Sequence, residues 1–230
     1  MNEMQFQPSR REAFKRLGLL AYGLSLVPTT GCSKLLLGGG KILFGDPKIT
    51  AEFTKLTLED LTKGNKTVLV VCSTPESVDI ESSTLKGDLI DGVTRRMKLN
   101  GVKTINPERV ITWLEDHSSR GADFAQIAKD FDTDYIAMIE VQTFSLQEPN
   151  TPKMLRGSTS GFIRVARIEE VDGKRYPIMV YTRDFSLTYP QHQPLSENGR
   201  SAVVFHKQYV SELCDLLAER FYNHRPGKSF

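Results

Sequence analysis

Hydrophobic positions along the chain change period several times, and each change marks an element. Residues 67–72 (TVLVVC) form an unbroken, largely β-branched run, the pattern of a strand buried on both faces. Leu85, Leu89, Val93 and Met97 then recur at every fourth position, which predicts an amphipathic helix. Its last turn carries Arg95, Arg96 and Lys98, which suit the helix dipole, and Asn100 with Gly101 supplies a left-handed cap. Residues 102–105 make a short second strand. Pro107 after Asn106 opens the next helix, which carries Val110, Trp113 and Leu114. A short helix over 122–131 leads into residues 134–141 (DYIAMIEV), the strongest central strand.

The second half alternates more openly. Residues 147–157 are a polar, proline-containing excursion, predicted as a loop. Residues 162–168 and 178–189 are strands joined across Val171, Asp172, Gly173 and Lys174, with Asp-Gly as the hairpin signal. Residues 190–194 break the pattern. A closing helix over 198–222 places Val203, Val210, Leu213, Leu217 and Phe221 on one face, and the tail from Asn223 is polar and frayed. This order predicts an α/β sandwich: a mixed sheet of about five strands packed with three to four helices. Residues 53–61 fit either a helix or a strand at the domain edge.

The first 32 residues follow a different logic. A basic start (Arg10, Arg11, Lys15, Arg16) precedes an apolar run from Leu17 to Val27, and small residues run into Cys32. That apolar run is 11 residues long, within the roughly 7–15 of an export signal and short of the roughly 20 that span a bilayer. The stretch from Ser9 to Lys15 (SRREAFK) resembles the twin-arginine export motif, with Ala13 where Phe is usual and Phe14 where Leu is usual. Thr29, Thr30 and Gly31 before Cys32 resemble the lipobox of bacterial lipoproteins, with Thr29 in place of the usual Leu. The resemblance implies a diacylglycerol on the Cys32 thiol and cleavage just before it. One acyl chain holds a protein only marginally, at about 0.8 kcal/mol per buried CH₂, so two or three chains on Cys32 would anchor it. Four parts are therefore expected: signal peptide 1–31, lipidated tether 32–65, an α/β domain 66–222 and a polar tail 223–230. The leucines at 35–37 would dip into the headgroup region.

Charge changes the picture once the leader is set aside. The whole chain of 230 residues has a net charge of +2 and a pI near 8.4, but the leader accounts for the excess. The remaining 199 residues carry 26 basic and 26 acidic side chains. A neutral domain gives no electrostatic ground for nucleic acid, and none is expected as a partner. Cys72 and Cys214 both lie inside apolar patterns, where buried thiols are favoured over a disulfide.

No catalytic constellation stands out. Leu35 and Ile42 stand where a phosphate loop needs Gly and Ser or Thr around Lys41. His117, His192 and His206 have no ligand spacing, and there is no Cys-x-x-Cys, so no metal and no cofactor are expected. Asp130, Asp132 and Asp134 mimic the start of a calcium loop, but Tyr135 and Val141 occupy the Gly and Glu positions, so a helix-to-strand turn is the reading. Arg183 lies within the alternating face of residues 181–189, which suits a soluble sheet rather than a lipid-facing one.

The strand at 67–72, the Asn100-Gly101-Val102 helix end, the Pro107-Glu108-Arg109-Val110 helix start and the Thr133-Asp134-Tyr135-Ile136 entry to a strand together form a familiar pattern. It is similar to the small α/β domain of the curli-secretion lipoprotein CsgG, the penicillin-binding-protein activator LpoB and the amino-terminal domain of TolB. The resemblance spans residues 67–222. It implies a non-enzymatic envelope protein that docks onto other proteins, facing the periplasm, with self-association open; no long amphipathic insertion of a pore-forming member is present. The expected partners are the membrane, through Cys32, and an envelope protein. Docking would use a sheet edge or the 147–157 loop, where Met154, Leu155 and Arg156 are the candidate contacts. The alternative is an auxiliary lipoprotein of a transporter, or a small-ligand-binding envelope enzyme, which calls for a deep pocket.

Overall fold

The computed structural model describes residues 48–117, 123–197 and 201–225, all within the unit Lys48–Phe230. The export motif at Arg10 and Arg11 and the lipidation position Cys32 lie outside the described residues. Six strands and six helices are described. In chain order they are α1 (Glu52–Thr57), β1 (Thr67–Ser73), α2 (Glu76–Glu81), α3 (Leu85–Leu99), β2 (Lys103–Thr104) and α4 (Pro107–Asp116). There follow α5 (Phe124–Asp130), β3 (Tyr135–Glu148), β4 (Thr151–Val171), β5 (Lys174–Tyr189), β6 (Leu195–Ser196) and α6 (Ala202–Ala218).

The strands form one mixed sheet in the order β2-β1-β3-β4-β5, with β6 also pairing with β4. β2, β1 and β3 are parallel, joined by helical crossovers; β3, β4 and β5 are antiparallel and joined by tight turns. The fold class is thus the α/β sandwich that the periodicity indicates. β1 is buried along its length, as its unbroken run of Val and Leu requires. The caps also act as the sequence suggests. Asn106 accepts the Glu108 amide at 3.0 Å ahead of Pro107, and Gly101 takes φ +88° after α3.

One sheet face is closed by α1, α3 and α6. Phe53 of α1 meets the rings of Tyr135, Tyr181 and Phe221, all buried. Arg96 of α3 binds Asp215 of α6, and the two helices approach so closely that a Cβ on Gly92 would lie 2.5 Å from the Cys214 sulfur. On the other face α5 covers only the lower part, where β1 and β3 begin. There the Arg164 guanidinium sits over Phe124, and Arg175 donates to the carbonyls of Phe131 (2.6 Å) and Thr133 (2.5 Å).

Several expectations give way. The excursion at 147–157 is not a loop: β3 runs to Glu148 and β4 starts at Thr151, so the connection is Pro149 and Asn150. Asn150 has φ 61°, which with a preceding proline suits a type II turn. β4 therefore runs for 21 residues and β5 for 16. The run Gly157-Ser158-Thr159-Ser160-Gly161 hid the strand because it has no large apolar alternation. Its glycines are required by contact: a Cβ on Gly157 would lie 2.3 Å from the Tyr209 ring, and one on Gly161 would lie 2.0 Å from the Glu140 carbonyl oxygen. Val203 is exposed rather than buried, because α6 meets the sheet only from Phe205 onward. The tail is tied down through residue 224: Asn223 Oδ1 accepts the Ala51 amide at 2.9 Å, and Ile49 and His224 form a bridge. Residues 49–61 pack onto the domain through α1, with Phe53 and Leu61 buried in the core.

Candidate functional site

The two edges of the sheet differ. β2 is two residues long and flanked by α3 and α4, whereas β5 has 16 residues and, among the described residues, pairs only with β4. An edge strand presents alternate amides and carbonyls to any extended chain alongside it, and proteins guard such edges with proline, charge or bulges. β5 carries most of these guards in its lower part. Pro177 lies there, the pairing slips between Val165 and Ala166 opposite residues 179–181, and Arg183 binds Glu52 at 3.1 Å. Above Arg183 the sequence is Asp184-Phe185-Ser186-Leu187-Thr188-Tyr189, with no proline and no basic side chain. Two carbonyls in this segment already hold side chains: Asp184 accepts from Arg220 (3.1 Å) and Leu187 from the Tyr209 hydroxyl (3.1 Å).

Alternation decides what this edge displays. Phe185 turns into the core beside Gly161, and Tyr181 does the same two pairs lower. Thr182, Asp184, Ser186 and Thr188 turn to the opposite face and are exposed. Register places Ser158 beside Thr188, Ser160 beside Ser186 and Phe162 beside Asp184. Thr143 of β3 continues the row and shares a hydrogen bond of 2.7 Å with Ser160. The result is a flat, hydroxyl-rich face next to an unpaired edge. It supplies hydrogen-bond donors and acceptors.

The candidates from the sequence lie beside this surface. Met154 and Leu155 pair with Ser196 and Leu195 of β6, and Leu155 is buried in the core. Arg156 reaches the Glu148 carboxylate at 3.2 Å and the Gln191 carbonyl at 3.0 Å, bracing the chain break above β5. These residues hold the upper end of the edge in place; the exposed row on β5 was missed because its Ser and Thr residues look like ordinary solvated positions.

Other chemistry is dispersed. His117 stacks on Trp113 at 4.3 Å and donates to its carbonyl, His206 lies 3.3 Å from Ser82 Oγ, and His192 is exposed in the break after β5. Among the described residues no group of three or more His, Cys, Asp or Glu is placed to hold a metal ion. Asp130 accepts the Trp113 indole N–H at 2.8 Å and Asp134 caps β1 by accepting the Thr67 amide at 2.7 Å, so these acids serve the helix-to-strand turn. Cys72 and Cys214 are free and buried, and desolvation pushes each thiol up to about 12. A groove of about 540 Å³ lies between α3 and α4, with Ile90, Ile111 and Leu114 along it and Asp79 already bound to Lys86 at 2.7 Å. Among the described residues no helix is long and apolar enough to cross a membrane.

No family model matches the sequence, and no curated protein matches it. Solved structures do resemble it at low identity. The PelC dodecamer subunit from Paraburkholderia phytofirmans is 9% identical, with a TM-score of 0.38 over 76% of this chain and 96% of that one. Lipoprotein GNA1162 from Neisseria meningitidis is 12% identical, with a TM-score of 0.35 over 66% of this chain and 98% of that one. A minor lipoprotein from Acinetobacter baumannii is 15% identical, with a TM-score of 0.30 over 71% of this chain and 98% of that one.

Proposed function

We propose that this protein is a lipid-anchored lipoprotein of the cell envelope that works as a non-enzymatic docking module. The leader pattern ending at Cys32 supports the anchor. One structural observation supports docking: the upper part of β5, residues 184–189, is an edge whose single charge is Asp184, beside an open hydroxyl-rich face. An extended segment of an envelope protein would add there as a further strand, with main-chain hydrogen bonds for affinity and Thr182, Ser186 and Thr188 for side-chain contacts. The polar character of that face suits reversible association rather than a permanent complex.

The test is photo-crosslinking in cells from Ser186, with Lys103 on the opposite edge as the reference. Adducts with an envelope protein from position 186 and none from 103 are the expected outcome; equal patterns at both would overturn the docking edge. An adduct containing two copies of this chain would make the partner a second copy. In the same cells Cys32→Ser should move the protein from the membrane to the soluble fraction with its fold intact. Retention in the membrane fraction would overturn the anchor.

A further inference from the structure

Exposed large apolar side chains concentrate at one end of the domain. That lower end is where β1 and β3 begin, where α6 finishes and where the chain enters at Lys48. Ile49 is fixed there by its amide donating to the His224 carbonyl at 2.6 Å. Beyond the pairing of Tyr135 with Arg167, β4 and β5 continue as a two-stranded ribbon for four more pairs, from Ile168 with Pro177 to Val171 with Lys174. At about 3.3 Å per residue the ribbon projects roughly 13 Å past the start of β3. Its tip is a tight turn with Asp172 at φ 51° and Gly173 at φ 71°, the type I′ pattern that fixes a hairpin's direction. Val171 and Tyr176 are exposed on this ribbon, Ile178 and Met179 are exposed at its base opposite Arg167 and Ala166, and Leu58, 89% exposed, stands on the left-handed residue that ends α1 next to it. Glu59, the residue after Leu58, binds Arg167 at the base of the ribbon at 3.0 Å, so the two apolar groups are held together.

Several charges at this end are paired. Arg167 contacts Glu59 and Glu169, Arg175 contacts Asp132, and Lys66 lies 3.9 Å from Asp134. Outward at the ribbon the apolar Val171 and Tyr176 alternate with the exposed Glu170, Asp172 and Lys174, and the Tyr176 ring is suited to a boundary between water and hydrocarbon.

We infer that this end is a second membrane contact: the ribbon tip and Leu58 rest on the lipid surface to which Cys32 is attached. The inference rests on the proposed lipidation. Cys32 precedes Lys48 by 16 residues, so a fully extended tether reaches no more than about 55 Å and a flexible one averages roughly 22 Å. The entry point at Lys48 and the apolar ribbon lie at the same end, so the tether holds this end at high effective concentration next to the bilayer, where even a weak patch is occupied. The upper part of β5 then points away from the lipid and toward the compartment.

The experiment uses the full, lipidated chain in vesicles of phosphatidylethanolamine and phosphatidylglycerol. A fluorophore is attached through Leu58→Cys in one protein and through Ile80→Cys in another. Ile80 is 81% exposed on α2, at the opposite end, and the buried Cys72 and Cys214 do not compete. Nitroxide-bearing lipid should quench the label at position 58 several-fold more than the label at 80, and adding Ile178→Asp should bring position 58 down to the level of 80. Equal quenching at the two positions on vesicle-bound protein overturns the contact and leaves the anchor standing. Strong quenching at 58 that Ile178→Asp does not reduce reports tether proximity alone, and overturns it as well. Failure to sediment with vesicles removes both the anchor and this inference.

Discussion

The sheet has two halves that reach stability by different means. In the parallel half, β1 is shielded on both faces by helices and neighbouring strands, and its residues Val68, Leu69, Val70, Val71 and Cys72 are all buried. In the antiparallel half, only one face of β4 and β5 carries a full core. Ile163, Val165, Tyr181 and Phe185 turn inward against the helical layer, while the other face is wet above Phe162. The first half gains from apolar volume, the second from close approach through Gly157 and Gly161. The edge and outer face of the second half are not needed by the core, which is why the proposed docking strand lies there.

Volume removed from the first half should cost most. Leu69→Ala takes a fully buried side chain out of β1 and should lower stability by about 2–5 kcal/mol, read as a shift in the urea midpoint with little change in slope. A loss below about 1 kcal/mol would mean that β1 is not the centre of the core. In the second half a gain of one methyl is the sharper perturbation. Gly161→Ala forces a Cβ against the Glu140 carbonyl and the Phe185 ring and should cost about 1–3 kcal/mol. Its signature is local: amide exchange should accelerate in β4 and β5 before β1. If β1 amides accelerate equally, the halves open as one unit and the comparison fails.

This division also explains what the sequence discloses. β1, α3 and the first part of β3 were legible because burial on two faces, or on one helix stripe, forces a visible apolar period. Leu85, Leu89, Val93 and Met97 are all buried as that period requires. The lower part of β4 was legible for the same reason, through Ile163 and Val165. The upper part was not. Gly157, Thr159 and Gly161 fill inward positions whose large partners, Tyr209 and Phe185, come from elsewhere in the chain, so the strand has no local apolar signature. The short α2 and β6 were missed for want of length. The hydroxyl row fared worst: Ser158, Ser160, Thr182, Ser186 and Thr188 come together only when register aligns them.

The two buried thiols give the gentlest probe of the same comparison. Cys72 belongs to β1; Cys214 lies on α6, the helix that carries Tyr209 to β4. Desolvation raises both thiols from 9.0 to about 12, so in the folded protein they stay neutral and unreactive near pH 7, where the expected effect on stability is nil. The sign of the pH dependence follows from the raised folded values. Below pH 9 the thiols are protonated in both states; between about 9 and 12 the unfolded chain releases protons that the folded one retains, and stability falls as pH rises. Burial raises Tyr222 to about 12 as well, which adds to the same alkaline loss. In the Cys32→Ser protein, thiol labelling at pH 8 under mild urea should modify Cys214 before Cys72, because a helix packed on one sheet face opens before a strand bonded to neighbours on both sides. Equal labelling rates would show a single cooperative opening, and Cys72 reacting first would reverse that order.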